Sequence, residues 1–144
     1  MSVVLRPLTE RDVRVAEAWF AEPETRWRIG DASWPRRLLA LAREPGRFAF
    51  AALEGEALVA IADAEREGER AAVALVVAPE QRRRGLGRAV LAALREHHAL
   101  SALDLLAGVE DGNDAATVLV LGAGFEPLSA DLDDEGFRYF LLRA

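Results

Sequence analysis

The residues with the greatest chemical reach are Arg82-Arg83-Arg84-Gly85-Leu86-Gly87, set between the apolar run Val73-Ala74-Leu75-Val76-Val77 and an amphipathic run over 89–98. The apolar run reads as a buried strand that Pro79 ends, and the glycines open a helix. That order turns backbone N–H groups outward at a helix N-terminus, where negative charge is favoured. Gly85 and Gly87 let a phosphate approach the backbone with no Cβ in the way, and the arginines add charge-assisted donors. The chemistry this predicts is capture of a phosphorylated ligand.

The elements that position this turn follow from periodicity and breakers. A short strand over 3–7 precedes a helix over 10–20, capped by Thr9, with Val13, Ala16 and Phe20 on its apolar stripe. Residues 21–31 read as a loop rich in charge and tryptophan. Ser33 caps a second helix with Pro35 in its first turn and Leu38, Leu39 and Leu41 on its buried side. Strands over 47–53 and 57–64 flank Glu54-Gly55-Glu56 as a hairpin. A polar turn over 65–69 leads to the strand over 71–77, then the glycine turn, a helix over 86–98 and a strand over 103–107. Asn113 caps a short helix over 114–121 that Gly122-Ala123-Gly124 ends. Residues 125–129 and 137–142 form a last hairpin around the acidic turn 131–136. The order is β-α-α-β-β-β-α-β-α-β-β, an α/β (α+β) fold with a mixed, mainly antiparallel sheet of about seven strands and helices on both faces. Strands four and five, joined by a helix, run parallel.

Composition narrows the function classes. The chain has 144 residues and is half apolar, which suits one domain with a real core. No apolar run is long enough to cross a bilayer, and no export signal is read at the N-terminus, so a cytoplasmic location is expected. The absence of cysteine excludes disulfides, thiolate metal sites and a cysteine nucleophile. A net charge of −6 argues against general affinity for nucleic acid. The only histidines, His97 and His98, are adjacent at a helix end, where neighbouring side chains diverge, so no metal site is expected.

Several phosphate turns share these glycines. A dinucleotide fingerprint needs a third glycine where Val90 stands, and a Walker A turn needs a lysine, which the chain lacks. The glycines alone do not separate a phosphate site from an ordinary strand–helix connection. The wider pattern Val77-x-Pro79-x-x-Arg82-x-x-Gly85-x-Gly87, followed by an amphipathic helix, resembles the acetyl-CoA motif of the GNAT superfamily of N-acetyltransferases, (Gln/Arg)-x-x-Gly-x-(Gly/Ala). Asn113-x-x-Ala116-x-x-Leu119 with Gly124-Phe125 is similar to that family's downstream segment. The opening Leu5-Arg6-Pro7-Leu8-Thr9-Glu10-Arg11-Asp12, with Glu22-Pro23-Glu24-Thr25-Arg26-Trp27, is similar to its ribosomal-protein and aminoglycoside acetyltransferase branch.

The resemblance implies a single GNAT-like domain over 1–144 whose strands four and five splay into a V-shaped cleft. The pantetheine arm of acetyl-CoA would lie beside Val76 and Val77 like an added strand. Its pyrophosphate would sit on Arg82, Arg83, Arg84, Gly85, Leu86, Gly87 and Arg88, with Asn113 facing the arm as well as capping its helix. The implied activity is acetyl transfer to a primary amine, on a small molecule or a protein N-terminus, by direct attack in a ternary complex without a metal. The amine must shed a proton, since a free alkylamine has a pKa of about 10. The family's usual basic glutamate falls at Ala72 and its usual acidic tyrosine at Val120, so neither is supplied. Asp63 and Glu65, at the end of strand three, reach toward the cleft mouth and can act through water. Glu110, Asp111 and Asp114 lie beyond strand five. Tyr139 is expected to pack or to line the acceptor groove. The missing pair also fits a second reading, an acyl-CoA sensor or regulatory module that no longer catalyses. Trp19, Trp27 and Trp34, with Glu22, Glu24, Asp31 and the turn 131–135, would give an acidic, aromatic-edged groove suited to a cationic amine. The last hairpin is a candidate homodimer surface.

Overall fold

A computed structural model describes residues 2–144. The chain runs β1 (Val4–Pro7), α1 (Glu10–Glu17), α2 (Pro23–Arg28), α3 (Trp34–Leu41), β2 (Arg47–Glu54), β3 (Ala57–Glu67), β4 (Arg70–Val77), α4 (Leu86–Glu96), β5 (Asp104–Glu110), α5 (Asp114–Gly122), β6 (Glu126–Pro127) and β7 (Phe137–Leu142), with single 3-10 turns at Ala18–Ala21 and Pro79–Gln81. The strands form one sheet in the order β1-β2-β3-β4-β5-β7-β6. Among the described residues only β4 and β5 pair in parallel, and α4 supplies the crossover that such a pair needs. No helix among the described residues is long and apolar enough to cross a membrane.

The alternation of each strand divides the core in two. Ala60, Ala62 and Ala64 of β3 and Leu105, Ala107 and Val109 of β5 pack with Val90, Leu91 and Leu94 of α4 and Val120 of α5 on one face. Ala49, Ala51, Ile61 and Val76 point the other way, under Val13 and Ala16 of α1 and Leu38 of α3. By the same period of two, Asp63, Glu65, Ala72 and Ala74 lie on this second, front face, in register across β3 and β4.

Thr9 caps α1 as its sequence predicts, in a reciprocal box: its hydroxyl accepts from Asp12 N at 3.3 Å, and the Asp12 carboxylate accepts from Thr9 N at 2.9 Å. Arg6 closes on the same carboxylate with two bonds, of 2.6 and 3.0 Å.

The structure corrects four local expectations. Residues 21–31 are not all loop, because Pro23 sits at the first turn of α2 and the Glu22 carboxylate caps it, accepting from Thr25 N at 3.0 Å. α1 ends at Glu17 and tightens into the 3-10 turn, so it is shorter than the 10–20 span. Ser33 holds the N-cap of α3 without a side-chain cap bond, its hydroxyl bonding Asp31 instead. α4 stops at Glu96, which frees His97 and His98 from helical geometry; their rings stack at 4.3 Å rather than diverge. Burial pushes His97 below its ordinary pKa, with His98 adding to the effect.

Candidate active site

The pairing between β4 and β5 covers only Arg70 with Asp104, Ala71 with Leu105 and Ala72 with Leu106. Beyond that point β4 continues to Val77 bonded to β3 alone, and β5 continues to Glu110 bonded to β7 alone. The inner edges of both strands are therefore left without a ladder partner, and a V opens in the sheet with Val76 and Val77 on one arm.

The glycine turn stands at the end of that arm. Arg82 N donates to Pro79 O at 3.4 Å, and Arg83 takes a left-handed φ of 64°. Gly85 is the N-cap of α4 at φ 76°, a conformation that strains side chains, and a methyl there would meet nothing within 4 Å. The first amide of α4 with a carbonyl partner is Ala89, which donates to Gly85 O at 3.1 Å. The amides of Leu86, Gly87 and Arg88, ahead of it, are the free donors of the helix end. This arrangement fits a diphosphate: an open approach at Gly85, free N–H groups and the positive end of an 11-residue helix. Gly87 has a packing reason to be glycine as well. Its bare side faces α5, where an added methyl would lie 3.1 Å from Leu119 Cδ2.

The arginines divide in use. Arg82 donates to Glu22 Oε2 at 2.6 Å and to Thr25 Oγ1 at 2.7 Å, so two of its N–H groups are committed to α2. The bond from Arg82, with those from Thr25, holds the Glu22 carboxyl below its usual range. Arg84 pairs with Glu54 at 2.9 Å. Arg83 and Arg88 are exposed, with no ion pair among the described residues, and remain available as cations.

On the front face the V has an open floor of Ala72, Ala74 and Gly108, all exposed. Asp63 stands one strand away, opposite Ala74, with its side chain 18% exposed. Burial raises its carboxyl above the ordinary value, against the pull of Arg47 and with a push from Glu65. Arg47 NH2 lies 3.6 Å from Asp63, while Arg47 NH1 makes the closer pair, 2.8 Å, with Glu65. Glu65 is thus committed and Asp63 only loosely held. On the other side Tyr139 lies over Gly108 and donates to Asp133 Oδ2 at 2.6 Å. That bond holds the phenol above its ordinary pKa. Tyr139 lines a cavity of about 320 Å³ with Arg70, Leu106, Leu128, Ser129 and Asp131.

Asp63, beside Ala74, and Tyr139, over Gly108, flank the trough formed by this floor, and the glycine turn follows the far end of the β4 arm; the cavity at Tyr139 is lined by neither Asp63 nor the turn. Val120 is buried in the core and faces no cleft. Asn113 Oδ1 caps α5, accepting from Ala116 N at 3.2 Å. Among the expected groove acids, Glu22 is paired with Arg82, and Asp31 is bound to Ser33. Trp19 is buried and Trp34 packs against Phe20, so only Trp27, 71% exposed, forms an aromatic edge. Sequence reasoning missed Arg28. It stacks over Trp27 at 4.1 Å and pairs with Glu110 at 2.8 Å, joining α2 to the end of β5.

A family model described as "Acetyltransferase (GNAT) family" matches residues 12–125. The chain belongs to that family. No curated protein matches it in sequence. Among solved structures, the GNAT fold here is similar to that of aminoglycoside acetyltransferase AAC(6')-Ib in complex with coenzyme A, with a TM-score of 0.83 at 18% identity over 99% of this chain and 95% of that one. It is also similar to an acetyltransferase from Thermus thermophilus, TM-score 0.81 and 24% identity over 100% and 98%. The N-acetyltransferase PseH of Campylobacter jejuni with acetyl coenzyme A gives a TM-score of 0.74 at 17% identity over 98% of each chain. The GNAT protein is an acetyl-CoA-dependent acetyltransferase, and its seven-stranded sheet with parallel β4 and β5 is the architecture the sequence predicts.

Proposed function

We propose that this GNAT protein transfers the acetyl group of acetyl-CoA to a primary amine by direct attack, with both substrates bound together and Asp63 as the proton acceptor. The observation that carries the reading is the junction of three features: an unpaired β4 edge at Val76–Val77, free amides at Leu86, Gly87 and Arg88, and a half-sheltered carboxylate beside an open alanine floor. Acetyl-CoA supplies the activated acetyl carbon. The diphosphate rests on the α4 amides and the exposed cations Arg83 and Arg88, and the arm lies against β4 with Asn113 near it.

An ammonium has no lone pair, so the amine must lose a proton before it bonds to carbon. Ala72 and Ala74 put no side chain between the trough and Asp63, so one water between amine and carboxylate completes the path. A raised pKa makes Asp63 a stronger base than a solvated aspartate. The sulfur leaves as a thiolate; a thiol, with a pKa of about 8.5, is more acidic than the ammonium, so departure needs no acid at Val120 and the thiolate takes its proton from solvent. Tyr139, held by Asp133, shapes the acceptor pocket. Arg70 and Asp131 of that pocket offset each other, and the surplus of carboxylates in the acidic turn 131–135 favours a cationic acceptor. AAC(6')-Ib has been crystallised with kanamycin and ribostamycin, and an amine-bearing small molecule is the acceptor class we assign. A cytoplasmic setting fits both substrates.

The test is release of free thiol from acetyl-CoA with purified protein and a broad panel of primary amines. Turnover on at least one amine is expected. Calorimetric binding of coenzyme A without turnover on any amine would favour the sensor reading, and no binding would reject the proposal.

A further inference from the structure

The segment α2 is attached at both ends to opposite arms of the V. At its start, Glu22 and Thr25 receive Arg82, which follows β4 in the chain. At its end, Arg28 donates to Glu110, the last residue of β5, at 2.8 Å. Thr25 is buried and Arg82 is half-buried, so the first attachment is sheltered. Six helical residues rise about 9 Å. That is close to two strand spacings of about 4.8 Å, the opening an extended arm between β4 and β5 would require.

We propose that α2 is a brace across the cleft and that Arg82 couples it to the diphosphate site, so that the acyl donor sets the ceiling of the acceptor trough. The inference rests on the diphosphate site assigned above and assigns Arg82 a positioning role. A guanidinium carries five N–H donors; two hold Glu22 and Thr25, and the others remain for an anion. Glu22 and a diphosphate repel each other unless a cation stands between them, and Arg82 is that cation. A ligand that binds at the α4 end strengthens the charge on both sides of Arg82 and fixes α2 in place. Trp27 and Arg28, carried on the same short helix, are then presented over the amine. By reciprocity, whatever orders α2 tightens the donor by the same factor.

The test is hydrogen exchange with saturating coenzyme A as the probe, following an α2 set, the amides of Arg26, Ile29 and Gly30 that donate to carbonyls at 22–26, and an α4 set, the amides of residues 86–89. In the native protein both sets should slow, the α2 set by at least about fivefold, the low end of typical coupling between sites. In Arg82→Ala and in Glu22→Gln the α4 set should still slow at saturation while the α2 set does not. Arg28→Ala loosens α2 at its other end and leaves the Arg82 link intact, so coenzyme A should still slow Arg26; this separates coupling from general loosening. Slowing of the α4 set with no change in α2 of the native protein overturns the brace, as does equal α2 slowing in Arg82→Ala. Failure of coenzyme A to slow the α4 set or to give calorimetric heat sinks the donor site itself.

Discussion

Leu119 of α5 occupies the space that Gly87 of α4 leaves by having no side chain: a methyl on Gly87 would sit 3.1 Å from Leu119 Cδ2 and 3.3 Å from Cδ1. The second glycine of the phosphate turn is thus a packing residue whose amide is also free for an anion. Gly87→Ala should therefore be coupled to Leu119. In a double-mutant cycle followed by urea unfolding, Gly87→Ala should be better tolerated in a Leu119→Ala background by about 1 kcal/mol. Additive effects would contradict the contact.

Gly85 carries the opposite signature, with open space around it and a φ of 76°. Gly85→Ala should cost about 1–2 kcal/mol of stability for the left-handed backbone and should leave the approach to the α4 amides open. Gly85→Glu has the same backbone cost and adds a negative charge at that approach. Its Kd for coenzyme A should exceed that of Gly85→Ala by at least about tenfold, or 1.4 kcal/mol, as calorimetry would read.

Asp63 links rate to pH. Its carboxyl is raised by burial, despite Arg47, so kcat/KM should climb as pH rises through that raised value. Asp63→Asn should lower kcat about 10²–10⁴-fold, the usual contribution of a positioned base. Stability runs the other way. A carboxyl whose folded pKa is raised contributes stability below its unfolded value of about 3.9, and this is lost as pH rises through the folded value. Asp63→Asn should accordingly raise Tm at pH 7 relative to the native protein, and the gain should vanish below about pH 4. A variant that keeps full activity would return the proton to bulk water.

Asp12 behaves in the reverse sense. It is 4% exposed. Burial alone would raise its carboxyl, but the hydrogen bonds from Arg6 and Thr9 outweigh burial and hold it below the usual range. Its contribution is present above the unfolded value of about 3.9 and is lost as pH falls through the lower folded value. Asp12→Ala removes half of the capping box and the partner of Arg6, whose side chain is 40% exposed, and should cost about 1–2 kcal/mol at pH 7. Thermal unfolding at pH 7 and pH 3 would show the penalty shrinking at the lower pH.

The parts of this molecule that were legible in its sequence are those whose signals are local. The strand, glycine turn and helix over 70–96, the caps Thr9 and Asn113 and the terminal hairpin each carry their determinants within a few residues. α2 was not legible for two reasons. Six residues show no periodicity, and the partner that secures its start, Arg82, lies 60 residues away. For the same reason the motif arginine reads from sequence as a phosphate ligand, although its side chain turns toward Glu22. The packing need at Gly87 is not legible in the sequence, since Leu119 belongs to a later helix. At the catalytic end, Ala72 and Ala74 register in sequence only as missing groups. The fold gives them a use, as the open floor that exposes a carboxylate on the neighbouring strand.

The two inner edges left bare where β4 and β5 separate have a consequence for the unliganded protein. An exposed ladder in the middle of a sheet invites any extended backbone to fill it, including that of another molecule. A donor arm with amide groups of its own completes the seam from outside the polypeptide, and by mass action each rise in donor concentration deepens the folded well. The resistance of this protein to heat and to self-association should thus track how much acyl carrier surrounds it.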